Sequence, residues 1–538
     1  MIMYRRAVGV YCVLLLLLTV AIFRIYQVGV SPYAAMASHV QGRYALSVAS
    51  ARGVIYDRNM QRLVNHDYGF VASVVPTPQS LDAIIRLVGD DSREELVARF
   101  QSGMPFAMRV PRGNLHARGI DVFRVPQRYS DDQIAVHLIG YLGSGGRGVA
   151  GIERAFNDVL LDFGTTIETV YHMDAIGHLM TGGATEVRRT GEEMPMGGVV
   201  LTLDTNIQLI TQRALASGAE RGAAVVLDVH TGDILAMASL PDFDPRDIAA
   251  SLERDDAPFI NRATSGYSIG SAFKTLMSAA ALEAGFTRDF RYVCSGYVNI
   301  GGRFFRCNNY AVHGDINMTR AMEVSCNTYF IDLGMRLDPR FALTFMENMG
   351  LGSADQIAPG MYTQSGNLPL ISEFAAPAAA ANFSFGQGSS LATPLQMAST
   401  VAVIANGGRS VEPRLVKGIT PDGLIITQPT PVFASNQIIS ERTAREMREI
   451  LVAVVETGSG RPARPIRGSA GGKTSSAQTG RFDDDGVEEV HAWFAGFYPA
   501  ENPRYSIVVF VEGGVSGERV AAPIFRQIAD GIAGVSVR

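Results

Sequence analysis

The hydrophobic pattern opens with an unbroken run. Residues 7–23, AVGVYCVLLLLLTVAIF, lie between Arg5-Arg6 and Arg24. A membrane-spanning helix needs about 20 apolar residues, and slightly shorter runs are tolerated, so residues 1–30 are expected to be a cytoplasmic tip and a transmembrane anchor. Arginines ahead of the span favour a cytoplasmic N-terminus and an exported remainder. A cleaved signal peptide is the competing reading, with Ala35-Met36-Ala37 as a small-residue cleavage site. Against it, the run exceeds the roughly 7–15 residues of a signal core, and the site lies far beyond it.

Residues 31–198 mix short alternating runs with Gly- and Arg-rich loops. ARGVIYDRNMQRLV (51–64) predicts two strands around an Asp-Arg-Asn turn, and 140–160 a glycine-rich loop entering a helix. No catalytic constellation stands out, so the segment reads as a pedestal. From 199 the texture changes. GAAVVLDVHTGDILAMAS (222–239) is a hairpin pattern, and 267–286 is an Ala- and Leu-rich helix. In 440–460, Met447, Ile450, Leu451 and Val454 recur at helical spacing behind Ser440 as cap. Strand patterns follow at 472–478, 492–499 and 504–513, then a closing helix over 521–534. Two early and three late strands joined by short turns predict an α/β (α+β) domain over 199–538 with an antiparallel five-stranded sheet.

The length, 538 residues, fits two to four domains. The net charge of −5 offers no nucleic-acid-binding surface. No internal repeat or low-complexity tract is present.

GGKTSSAQTG (471–480) poses the first chemical question. Gly472-Lys473-Thr474 ends like a phosphate-binding loop, but such a loop also needs glycine where Arg467 stands. No apolar strand enters it, and a strand follows Lys473. Ser271 and Lys274 supply the second element. At i and i+3 of a helix they share a face, with Ser271 in the first turn. A desolvated lysine has a lowered pKa and can take the proton of a serine nucleophile. Alone, S-x-x-K is common in helices. Ser325-Cys326-Asn327 lies downstream, inside AMEVSCNTYF, and Lys473-Thr474-Ser475 near the C-terminus. The three elements in this order are the S-x-x-K, S-x-N and K-T-G set of penicillin-recognising serine enzymes.

On these residues the chain resembles a class B penicillin-binding protein, a monofunctional peptidoglycan D,D-transpeptidase. RGVIYDRN (52–59), HLIGYLG with GVAGIE (137–153), NRATSGYSIGSAFK (261–274), SFGQG with TPLQMA (384–398), HAWFAGFYP (491–499) and AAPIFRQI (521–528) extend the likeness along nearly the whole chain. Two positions depart from the pattern: Ser268-Ile269 replaces Pro-Pro, and Ser475 replaces glycine. The resemblance implies that Ser271 attacks the penultimate D-Ala carbonyl of a stem peptide, with the amides of Ser271 and Ser476 as oxyanion hole. Lys274 is then the base, Ser325 a proton relay, Asn327 a ligand of Lys274 and the substrate amide, and Lys473 and Thr474 the carboxylate site. β-Lactams would acylate Ser271. A membrane-embedded glycan polymerase of an elongation, division or sporulation complex is the implied partner, and no organic cofactor is implied. In a strand 475 faces away from 474 and 476, so the Ser475 side chain is expected to project away from substrate, into packing behind the sheet. Its expected effect is an altered β-lactam preference.

Cys12 lies in the apolar span, while Cys294, Cys307, His313 and Cys326 form a C-x12-C-x5-H-x12-C pattern. A Cys294–Cys307 disulfide is one reading of an exported chain. A tetrahedral structural zinc site uses all four residues, and some class B relatives are similar in carrying zinc near S-x-N. Two other functions compete with the transpeptidase: a β-lactamase or β-lactam sensor of the same superfamily, and a structural component of a wall-synthesis complex.

Overall fold

A computed structural model describes residues 2–30, 42–89, 92–174, 179–180, 186–191, 194–433, 435–482, 486 and 488–535. The candidate cleavage site at 35–37 lies outside the described residues. Helix α1 spans Ile2–Val30 and is long and apolar enough to cross a membrane, longer than the run that predicts it.

The chain divides into two compact units. The first gathers residues 1–52, 66–128 and 164–195; the second gathers 53–65, 129–163 and 196–538. The expected division at 198/199 therefore needs correction, because two stretches of the expected pedestal belong to the second unit. The reason is strand pairing. Val54–Tyr56 lies parallel to Gly198–Leu201, which also pairs with Val416–Thr420. The expected hairpin over 51–64 reduces to that one strand and a Tyr56–Arg62 bridge, since the Asp57 carboxylate accepts from the amides of Asn59 and Gln61 and closes the turn itself. In 137–153, Gly140 takes φ +85°, and a Cβ there would stand 1.9 Å from the Ala150 carbonyl oxygen. Only glycine allows that close approach. The first unit holds two three-stranded antiparallel sheets, one of Arg43–Ala51, Thr165–His172 and Glu186–Thr190, the other of Asp67–Val74, Phe106–Val110 and Ile120–Gln127.

The second unit is built on strands β1 (Gly222–Asp228), β2 (Ile234–Leu240), β3 (Gly471–Phe482), β4 (Glu488–Tyr498) and β5 (Tyr505–Val511). Their order is β2–β1–β5–β4–β3, antiparallel throughout. The period-2 rule sorts their side chains cleanly. Ala224, Val226, Phe494, Ile507 and Val509 face one layer, formed by α2 (Thr205–Ala216) and, at the C-terminus, a helix over Ala522–Val535. Val225, Leu227, Trp493, Phe497, Val508 and Phe510 face the other. That second layer contains α3 (Phe273–Glu283), α4 (Met318–Glu323), α5 (Asn327–Met335), α6 (Pro394–Ala405) and α7 (Glu441–Glu456). Each fully buried Phe or Ile contributes about 1.5–3 kcal/mol, so this sandwich is a rigid base. Ser440 caps α7 by accepting from the Thr443 amide, as its sequence position predicts. β3 is an edge strand, and the site is assembled where it meets α3.

Candidate active site

Ser271 stands in a 3₁₀ turn, Gly270–Ala272, which runs directly into α3. The turn is tighter than the expected first α-helical turn because Gly270 takes φ +58° and donates its amide to the Gly386 carbonyl at 2.9 Å. A Cβ at 270 would meet Ser475 Oγ at 2.6 Å, so glycine is required there. Ser271 is half-buried, and its hydroxyl has no hydrogen-bond partner among the described residues.

Lys274, one turn on, is fully buried. Its Nζ donates to the Ser325 carbonyl (2.8 Å), Ser325 Oγ (3.2 Å) and Asn327 Oδ1 (2.7 Å). Burial lowers its pKa to about 8, an effect that the nearby Cys326 and Cys307 sulfurs oppose. A substantial neutral fraction near neutral pH is what a proton acceptor needs. No Lys274–Ser271 hydrogen bond is present among the described residues; the two share the turn.

The S-x-N element is the junction of two helices. α4 closes with the Cys326 amide donating to the Ala321 carbonyl (2.9 Å) and the Ser325 amide to that of Met322 (3.3 Å). This is the paired closure of a Schellman end, with Ser325 at the left-handed position, φ +53°. Glycine usually occupies it, and a side chain there stores of order 1 kcal/mol of strain. The strain aims Ser325 Oγ at Lys274. α5 then begins at Asn327, whose Nδ2 donates to the Arg306 carbonyl at 2.9 Å. Its amide is therefore oriented: oxygen to Lys274, nitrogen to Arg306.

On β3, Lys473 is fully buried, and its Nζ donates to the Thr474 carbonyl at 3.0 Å. It makes no ion pair among the described residues. Burial lowers its pKa well below the ordinary range, and the neighbouring Lys274 charge lowers it further, while Glu518 opposes them. Thr474 Oγ1 pairs with Ser459 Oγ at 3.0 Å. Ser459 has no signal in the sequence beyond its Gly-rich loop after α7. Ser476 is exposed on β3, and its Oγ accepts from the Gly517 amide at 3.2 Å. Ser475 corrects the expectation made for it. It is buried, but it points to the face shared by Trp493 and α3, and donates to the Ile269 carbonyl at 2.7 Å. Its direct cross-strand pairing with Trp493, on the face away from Thr474 and Ser476, sets this direction.

Beside the junction, Cys294, Cys307, Cys326 and His313 converge, with all four ligand atoms within 4.8 Å of one another. Cys294 and Cys307 sulfurs are 3.8 Å apart, Cys307 and Cys326 3.6 Å, and Cys294 Sγ and His313 Nδ1 3.3 Å. No disulfide joins them among the described residues: the Cys294–Cys307 separation is well beyond the roughly 2.05 Å of a disulfide bond. The Thr328 hydroxyl lies within 3.6 Å of all three sulfurs. Nothing in the sequence singles Thr328 out, because its role depends on residues 21 and 34 positions away.

A free hydroxyl on a tight turn, one turn from a lysine that loses its proton easily, serves nucleophilic attack on a carbonyl. A buried lysine without a carboxylate partner among the described residues, close to Lys274, suits an anionic acyl donor whose charge would favour its protonated form. This fold and site define an active-site serine acyltransferase. Residues 222–530 match the penicillin-binding protein transpeptidase domain, and the chain belongs to that family. Stage V sporulation protein D of Bacillus subtilis is 29% identical over 511 residues, covering 89% of this chain and 77% of its own. Peptidoglycan D,D-transpeptidase MrdA of Acinetobacter baumannii is 27% identical over 560 residues, covering 88% and 80%. Among solved structures, penicillin-binding protein 3 of Mycobacterium tuberculosis complexed with aztreonam superposes with a TM-score of 0.66 at 26% identity, over 92% of this chain and 97% of that one. A chain of a peptidoglycan synthase complex that coordinates polymerization and crosslinking gives 0.69 at 26% identity, over 98% of each.

Proposed function

We propose that this protein is a serine D,D-transpeptidase that cross-links peptidoglycan stem peptides, and that β-lactams acylate the same serine. The observation that carries the reading is the Lys274–Ser325–Asn327 hydrogen-bonded cluster close to Lys473, which makes no ion pair among the described residues. The substrate's terminal carboxylate supplies the anion that Lys473 lacks, with Thr474 as second donor. Ser271 Oγ then bonds to the penultimate D-Ala carbonyl carbon while its proton passes to neutral Lys274. The amides of Ser271 and Ser476 hold the developing oxyanion. The C–N bond breaks, and Ser325 relays the proton from Lys274 to the leaving D-Ala amine. An amine of a neighbouring stem attacks the ester by the reverse route and restores Ser271.

Intact-mass analysis with benzylpenicillin tests it. One long-lived adduct per chain, absent in Ser271→Ala, is expected. Rapid release of hydrolysed drug would favour a β-lactamase, and cross-linking that survives Ser271→Ala would favour a structural role.

The Cys–His cluster fits a structural zinc ion. The edge of a tetrahedron with Zn–S bonds of about 2.3 Å is about 3.8 Å, close to the sulfur separations here. Zinc would hold Cys326 between Ser325 and Asn327 and leave no open position for substrate. Purified protein with far less than stoichiometric zinc would overturn this.

α1 anchors the chain as a single-pass membrane protein, with the catalytic unit on the extracytoplasmic face and the first unit as its pedestal. The synthase complex among the structural neighbours and the sporulation protein among the relatives support a membrane-embedded glycan polymerase as partner, within an elongation, division or sporulation assembly. Co-purification with such a polymerase from membranes tests it.

A further inference from the structure

The backbone just before Ser271 is held by two side chains from the sheet. Trp493 Nε1 donates to the Ser268 carbonyl at 3.0 Å, and Ser475 Oγ to the Ile269 carbonyl at 2.7 Å. Trp493 and Ser475 are direct cross-strand neighbours on β4 and β3, and both are buried. The third polar group of the segment, the Gly270 amide, is taken by Gly386. These three groups each have a partner, and Ile269 is fully buried while Ser268 is half-buried.

Ser475 and Ser268-Ile269 are the two places where the chain departs from its motifs, and the structure joins them by one hydrogen bond. Glycine at 475 would leave the Ile269 carbonyl buried without that donor. A buried carbonyl without a partner is costly enough to turn its peptide toward another. The 269–270 peptide carries Gly270, whose left-handed φ aims the Ser271 amide and hydroxyl.

We infer that Ser475 is a positioning residue: its hydroxyl, with the Trp493 indole, locks the Ser268–Ile269 carbonyls and so holds Ser271 at its attacking geometry on the edge strand. Ser475 acts through Ile269 and does not touch substrate. The inference rests on Ser271 being the acylated nucleophile, and its test keeps the two apart.

The test is rapid-mixing acylation of the full-length, detergent-solubilised protein by a fluorescent penicillin, resolving the encounter constant K from the acylation rate k2. Ser475→Ala keeps the Cβ and removes the donor. Its k2 is expected to fall about tenfold with K unchanged, the result of a misplaced nucleophile. Ser475→Gly behaves alike. Trp493→Phe, which frees the Ser268 carbonyl and keeps an aromatic ring, also lowers k2. The double variant loses less than the product of the singles, because both act on one turn. Wild-type k2 in Ser475→Ala, or a change confined to K, overturns the proposal. A penicillin adduct persisting in Ser271→Ala overturns the assignment of the nucleophile instead, whatever Ser475 does.

Discussion

Lys473 and Thr474 stand on the edge of a five-stranded sheet, whereas Ser325 and Asn327 stand on the junction of two short helices. The sheet wall draws its rigidity from ladders of hydrogen bonds and from apolar layers on both faces. The junction wall has small local pairings instead: Tyr292–Cys294 with Gly314–Ile316, and Tyr297–Ile300 with Arg303–Arg306. Its helices are rooted in the apolar layer, and beside them lie the sulfur–imidazole cluster and the bond between Asn327 and the Arg306 carbonyl, one residue before Cys307. Lys274 spans both, rooted in the helical layer and hydrogen-bonded to the junction. Both walls share the buried apolar layer, but one is a strand in a hydrogen-bonded ladder and the other a helix junction beside a Cys–His cluster, so the two are separately breakable.

The largest effect should come from cutting the chemistry while sparing both walls. Ser271→Ala removes a hydroxyl that bonds nothing among the described residues, so penicillin acylation should vanish with the melting temperature unchanged. Cys326→Ser attacks the junction wall alone. Its acylation rate should fall about 10–100-fold, with a lower melting temperature, the proposed zinc lost, and the β-sheet circular dichroism retained. A wild-type rate in Cys326→Ser would show that the junction does not depend on its cluster. Lys274 links the walls through its proton. Because burial lowers its pKa to about 8, the neutral base should accumulate as pH rises. The acylation rate should climb through pH 7–8 and level off above it, as a k2–pH profile would show. A flat profile would remove Lys274 as the base. Ser459→Ala probes the sheet wall most gently. It costs Thr474 one hydrogen bond of about 1 kcal/mol and should weaken penicillin encounter about fivefold with k2 preserved.

Much of the sheet wall was legible from residues alone. Its strands carry period-2 apolar runs, and β3, β4 and β5 follow one another through short turns. Lys473-Thr474 announces itself by type and order. The junction was legible only as three letters. That Ser325 occupies a left-handed Schellman position depends on α4 ending two residues earlier, and that Asn327 meets Arg306 depends on a hairpin with little periodicity of its own. The division of the chain misled for a related reason: Val54–Tyr56 reads as local but pairs with a strand more than 140 residues away.

By itself, then, the sequence determined the candidate chemical groups and the order of the elements carrying them, because the capacity to be nucleophile, base or cation is a property of residue types and amphipathic period is a property of neighbours along the chain. Tertiary structure alone decided that Lys274 is stripped of water, that four scattered cysteine and histidine side chains converge, and that Ser475 serves Ile269 instead of the space behind the sheet. Desolvation and hydrogen-bond partnership across 206 residues depend on distances in space, which no local pattern encodes.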